Sequence, residues 1–192
     1  KTMKKRLRIE YFLVAAVMLL LFVGSIAATN FFFQKEMVAQ QETYLRRKNT
    51  LLTDQLPPSV FEKGQLTNQQ QLLVTHALDD AEERVTLLQK NGTVFFDSSQ
   101  NEPLESHKKR PEIAAVLSGA AYGSALRKSK TLNKELLYVA TPVLKSGEIV
   151  GIIRISEQTA LFSKNIQSFR RYIIFTFGIL FLLITLFIFL DR

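Results

Sequence analysis

A chain of 192 residues with 47% hydrophobic content has the bulk of one ordinary domain, yet its apolar residues gather at the two ends instead of spreading along the chain. It has no cysteine, which excludes a disulfide framework and a thiolate metal site, so a domain of this size must hold by packing alone. The net charge of +8 would normally raise nucleic acid as a partner, but most of it sits in the flanks: Lys1, Lys4, Lys5, Arg6 and Arg8 at the start, and Arg170, Arg171 and Arg192 at the end. The middle is nearly neutral, so no nucleic-acid partner is expected.

No charged side chain occurs from Tyr11 to Phe33 or from Tyr172 to Leu190. Each run is long enough, at about 1.5 Å per helical residue, to cross about 30 Å of hydrocarbon. The division predicted is a basic cytoplasmic N-terminus at 1–10, a first span at 11–33, an extracytoplasmic domain at 34–168, a second span at 169–190 and the start of a cytoplasmic part at 191–192. Basic residues before Tyr11 place both termini in the cytoplasm of a two-span cell-membrane protein, with the central domain outside. Arg170 and Arg171 then lie on the outer edge, where their side chains snorkel to headgroups. A cleaved signal peptide is the competing reading of the first run, since Ser25, Ala27 and Ala28 resemble a cleavage site. Against it, the run exceeds the usual apolar length of about 7–15 residues and continues through Phe33.

Gln34 to Gln55 lacks Gly and Pro and carries Met37, Val38, Tyr44, Leu45, Leu51 and Leu52, so the first span is expected to continue outward as an amphipathic helix that Pro57 and Pro58 end. A loop through Lys63 and Gly64 leads to Thr67 and Asn68, N-cap types for a helix with Leu72, Leu73, His76 and Ala77 on one face, stopping near Glu83. Strand character begins at Arg84 to Lys90. Asn91 and Gly92 signal a type I′ turn before a second strand at Thr93 to Asp97. A polar loop from Ser98 to Arg110 precedes a short helix opened by Pro111 and Glu112, running through Leu117 and capped by Gly119. Three further strands are expected at Ser124 to Lys128, Glu135 to Leu144 and Ile149 to Ser156, with Ser146 and Gly147 in the last turn. Ser156 is placed as the N-cap of a final helix feeding the second span. The fold class predicted is α+β: a five-stranded antiparallel sheet with a long N-terminal helix, flanked by two transmembrane helices.

The segment RVTLLQKNGTVFFDS (84–98) resembles the opening hairpin of extracytoplasmic PAS-like, or single Cache, sensor domains. HKKRPEI (107–113), the Ser/Thr-rich strand entry at 127–132, ELLYVATPV (135–143) and GEIVGIIRIS (147–156) follow in the same order. Together these residues resemble the sensor half of PhoR-type histidine kinases of Gram-positive bacteria, with the WalK type next. The resemblance implies a two-component phosphorelay: a cytoplasmic continuation with a HAMP linker, often a PAS domain, a phosphoacceptor histidine, an ATP-binding domain and a cognate response regulator. ATP belongs to that continuation, and no cofactor is expected in this chain. Neither His76 nor His107 has a phosphoacceptor setting, and a start at Lys1 with an end just past an apolar run reads as a piece of a longer protein.

Catalytic residues are not expected: there is no G-x-S-x-G elbow and no phosphate loop. Two histidines 31 positions apart make a poor metal site. The most suggestive local feature is His107 to Arg110 before a Pro-initiated helix, where cations and helix N–H groups attract anions. A solvated basic loop, or Arg110 paired with Asp97 or Glu112, accounts for the same residues. Arg127 and Arg154 are candidates to line a ligand pocket on the sheet, or are rim residues whose stems cover apolar surface. Tyr138 is a candidate donor to ligand, or a core tyrosine with its hydroxyl at an edge. A small anionic or cell-envelope ligand is the expected partner, beside the lipid bilayer. Gly24 and Ala28 have the small-xxx-small spacing that lets helices approach in lipid, a candidate homodimer contact.

Overall fold

The computed structural model describes residues 2–78, 83–99, 106–129, 133–158 and 160–190. Its elements in chain order are α1 (Thr2–Gln55), α2 (Pro58–Lys63), α3 (Asn68–His76), β1 (Arg84–Gln89), β2 (Val94–Asp97), α4 (Pro111–Leu117), β3 (Gly123–Lys128), β4 (Glu135–Lys145), β5 (Glu148–Gln158) and α5 (Ala160–Leu190). The chain divides into two compact units, one of residues 1–37 with 161–192 and one of residues 38–160.

In the first unit, α1 contains one stretch long and apolar enough to cross a membrane, within Ala16–Gln55. Large apolar side chains there stand free of protein, with Leu20 at 72% and Phe32 at 68% exposure. Phe22 meets Phe177 with ring centroids 5.1 Å apart, and Phe33 stacks on Phe169 at 5.9 Å. The apolar part of α5 among the residues whose side chains are described is Arg171–Leu186, shorter than a full crossing needs. The side chain of Arg170, the end residues Lys1, Asp191 and Arg192, and the ends of α1 and α5 fall outside the described side chains.

The second unit is built on one antiparallel sheet in the order β2-β1-β5-β4-β3. Strand alternation gives it two faces. One face, with Val85, Leu87, Val139, Ile153 and Ile155, packs on Leu45, Leu52 and Leu56 of α1, on Val60 and Phe61 of α2 and on Val74 of α3. Asn49 of α1 is buried among them and donates from Nδ2 to the Val139 carbonyl at 2.9 Å. The other face packs Leu88, Ala140 and Ile152 under Ile113 and Val116 of α4.

Several local expectations need correction. Lys63 and Gly64 do not lie in a loop that starts at the prolines: Pro58, at the first helical position, opens α2, and Gly64 (φ 67) caps it. Thr67 caps α3 through a capping box with Gln70, as its residue type predicts, but α3 stops at His76 rather than near Glu83. Leu72 and His76 point outward, and the face that packs is Leu73, Val74 and Ala77. Asn91-Gly92 is not a type I′ turn. Gly92 has φ 85, Asn91 is not among the positive-φ residues, and Gln89 N donates to Thr93 O, giving a three-residue loop with Gly92 in the left-handed position. The turn with two positive φ values is Ser146-Gly147 (51 and 84). Ser156 is no N-cap: it lies within β5, buried, between Arg84 and Tyr138 of the neighbouring strands. Parts of the expected 98–110 loop and of the 127–132 strand entry, namely 100–105 and 130–132, fall outside the described residues.

A buried arginine network as the candidate functional site

The α4 face of the sheet changes from apolar to polar toward the ends of β1 and β5. Arg84 and Thr86 precede Leu88 on the same face of β1, and Arg154 and Ser156 follow Ile152 on the antiparallel β5. Register sets Arg154 in the middle, across from Thr86 on one side and Ala140 on the other. Its side chain is 2% exposed. So large a cation is buried only if its charge and donors are met.

They are met by a chain of polar contacts that crosses the sheet. On β2, Asp97 accepts from Arg84 Nε at 2.8 and 3.0 Å and from the Thr86 hydroxyl at 2.9 Å. Thr86 in turn accepts from Arg154 Nη2 at 2.9 Å. Arg154 Nη1 donates to Glu112 Oε1 at 3.3 Å, and Arg127 Nη2 on β3 donates to the same oxygen at 2.9 Å. Tyr138 of β4 completes the site from below. Its ring centroid lies 3.8 Å from the Arg127 guanidinium carbon and 5.1 Å from that of Arg154, cation–π distances for both.

Glu112 reaches this position because α4 sits tightly on β3. An atom added as Cβ at Gly123 would lie 2.1 Å from the Glu112 carbonyl oxygen, so only glycine permits the approach. Burial pushes the Glu112 carboxyl up, and the hydrogen bond from Arg127, one from its own backbone N–H and the charges of Arg127 and Arg154 outweigh it, leaving the pKa lowered. Asp97 is lowered on the same balance: burial against Arg84, Ser99 and Thr86. Arg154 is lowered to about 10 by burial, against the pull of Glu112, and remains a cation at neutral pH. His107 is buried beside the cluster. Burial first, then the charges of Arg154, Arg110 and Arg84, lower its pKa to about 4, so its imidazole is neutral.

Five donors or acceptors of the site are buried without a hydrogen-bond partner among the described residues: Arg127 Nε, Arg154 Nε, Glu112 Oε2, His107 Nδ1 and Ser156 Oγ. Among the described residues, three arginines against two carboxylates leave the cluster cationic, with directed N–H groups to spare. An arrangement of this kind can hold the oxygens of an anion.

Of the four residues expected to contact ligand, the structure brings Arg127, Tyr138 and Arg154 into direct contact with one another, while Arg110 is linked to the cluster through its charge on His107. Arg110 is the N-cap residue of α4 and half-buried. It pairs with neither Asp97 nor Glu112, because Arg84 takes the first and Arg127 and Arg154 the second. Arg154 is not a rim residue, and the Tyr138 ring, not its hydroxyl, makes the described contacts. Lys108 and Lys109 are exposed, so the basic run does not converge on one point. The residues that sequence reasoning passed over are Arg84 and Thr86. The signal for them was two polar residues at i and i+2 in an apolar strand. Gly24 and Ala28 lie exposed on α1, with nothing within 4 Å of an added Cβ at Gly24.

The profile of the single Cache-like family matches residues 55–158. The chain belongs to the single Cache-like family. Its fold is also that of the V. cholerae histidine kinase DctB sensor domain, at TM-score 0.59 and 18% identity over 73% of this chain and 57% of that one. The ligand-binding domain of Campylobacter jejuni chemoreceptor Tlp3 in complex with L-valine matches at TM-score 0.52 and 13% identity, over 74% and 60%. The same sensory domain with isoleucine bound gives TM-score 0.53 at 13% identity, over 74% and 60%. The chain thus spans about three fifths of these solved domains. No curated protein matches the sequence. In this Cache domain the arginine network occupies the face of the sheet under α4.

Proposed function

We propose that the chain is the sensory region of a two-component sensor histidine kinase of the PhoR or WalK type. In this reading α1 and α5 each cross the cell membrane, both termini are cytoplasmic, and the Cache domain outside the cell takes up a small anionic or cell-envelope ligand. The observation that carries it is the cluster of buried Arg84 and Arg154 with half-buried Arg127, net cationic and with two guanidinium N–H groups unpaired among the described residues, on a sensor fold. Stability alone does not call for such a cluster, since burying cations costs more than packing an apolar residue of similar volume. The uncharged run from Tyr172 to Leu190 supports the second span, and the exposed apolar surface of α1 supports the first.

The output belongs to a homodimer in which Gly24 and Ala28 let the first spans approach, and in which displacement of α5 carries the signal to a cytoplasmic, ATP-dependent kinase and its response regulator. A ligand drives this only through different affinities for two states of the domain. A chemoreceptor output is the second reading, favoured by the fold shared with the Tlp3 domains. The coding sequence past Arg192 tests the choice. A helix pair with a phosphoacceptor histidine, followed by an ATP-binding domain, is expected; a long helical signalling domain or a cyclic-dinucleotide domain would overturn the kinase assignment. In the full receptor, two glycines inserted after Gln167 should leave ligand binding intact and abolish the response. A normal response would rule out relay through α5.

A further inference from the structure

Glu112 is a wholly buried carboxylate in the first turn of a seven-residue helix. It offers one oxygen, Oε1, to both Arg127 and Arg154, while Oε2 and the two Nε–H groups are left without partners among the described residues. Guanidinium and carboxylate pair best through two parallel hydrogen bonds, and neither arginine has that arrangement with Glu112. The contact is sufficient to neutralise charge but leaves donors idle. It is also made from the first turn of α4, whose Glu112 carbonyl lies so close to Gly123 that no Cβ would fit there.

We propose that Glu112 is a tethered internal ligand of the arginine pair, and that α4 is the latch it closes. An external anion with two or more oxygens competes with Glu112 for Arg127 and Arg154, and winning that competition lifts the start of α4 from the sheet. This rests on the reading of the α4 face as the sensory site. The apparent affinity for the external anion is then weaker than the affinity of the open site, by the fraction of molecules with the latch open.

The test uses the full 192-residue chain in lipid nanodiscs, with thermal unfolding followed in sodium formate against equal sodium chloride. E112A vacates a carboxylate-sized space between the two arginines, so formate is expected to raise its melting temperature by several degrees and leave the wild type unmoved. Equal response of the two proteins, or none in E112A, overturns the latch. Should E112A fold only when formate is present, that dependence is the same result in stronger form. E112Q keeps the volume and guards against a folding failure. Its amide exchange over Ile113 to Leu117 is expected to quicken at least tenfold with β4 and β5 unchanged, and unaltered exchange there overturns the proposal. The sensing reading fails separately: formate rescue of E112A with no malonate or phosphate response in the wild type would leave the latch standing and remove the external ligand.

Discussion

The two faces of the one sheet are built on opposite principles. Toward α1, α2 and α3 the side chains are mostly aliphatic and aromatic, with Asn49 hydrogen-bonded to the Val139 carbonyl among them, and the close fit includes Phe61 against Phe95 edge-to-face at 5.6 Å. Toward α4, half the surface is Leu88, Ala140, Ile152, Ile113 and Val116, and the other half is arginine, carboxylate and tyrosine. The first face is where burial stabilises the domain, at about 25 cal/mol per Å² of apolar surface. The second spends stability on a charged interior, a cost that persists when the site has a task other than holding the fold together.

The sharpest way to break this contrast is to remove one partner on each face. F61A should cost about 4 kcal/mol, a transfer term plus the cavity it leaves, read from chemical denaturation of the full chain in detergent. R154M should cost about 3 kcal/mol because Glu112 is left buried and poorly compensated, whereas R154M with E112L should recover most of that loss. If the double variant were as unstable as R154M, the network would be a stabilising element and the contrast between faces would fall. G123A forces α4 off β3 and should cost about 2 kcal/mol, with the loss concentrated in exchange of the α4 amides. The smallest effect concerns pH. A histidine whose folded pKa is lowered to about 4 binds its proton more readily when unfolded, so its share of stability is whole above pH 6.5 and falls as the pH drops toward 4. Below that, protonation of Asp97 and Glu112 removes the contribution of their lowered pKa values in turn. H107N should flatten the loss between pH 6.5 and 4 by on the order of 1 kcal/mol after allowance for solvent screening, and leave the steeper loss at lower pH in place.

The same contrast governs how much could be read from sequence. The apolar face was legible because strand alternation and helical spacing repeat over many residues: β1, β3, β4, β5 and α4 fall within two residues of their expected positions, the largest difference being the end of β5. The short pieces were not. Pro57-Pro58 ends one helix and starts another, and the second event is visible only in the packing of Phe61. Ser156 has the residue type of an N-cap, yet its place between Arg84 and Tyr138 made it a strand residue, because sheet pairing outweighs a local capping preference. Arg127, Tyr138 and Arg154 stood out as charged or hydroxyl-bearing positions in apolar strands. They stand on the sequential strands β3, β4 and β5, but joining them to Arg84 and Thr86 depends on β5 lying beside β1, a strand order that no local pattern encodes. Arg110 was chosen for its company in a basic run, and spatially its neighbours diverge.

The sensing role proposed for the α4 face requires that it hold an anion. Thermal unfolding of the full chain in nanodiscs with acetate, malonate and inorganic phosphate, compared between wild type and R127M, tests that most directly. Arg127 is the arginine of the pair nearer to solvent, its side chain 20% exposed, so its removal leaves the fold in place. The prediction is stabilisation of the wild type by at least one dianion, lost in R127M. Stabilisation that survives in R127M, or none in the wild type, contradicts it.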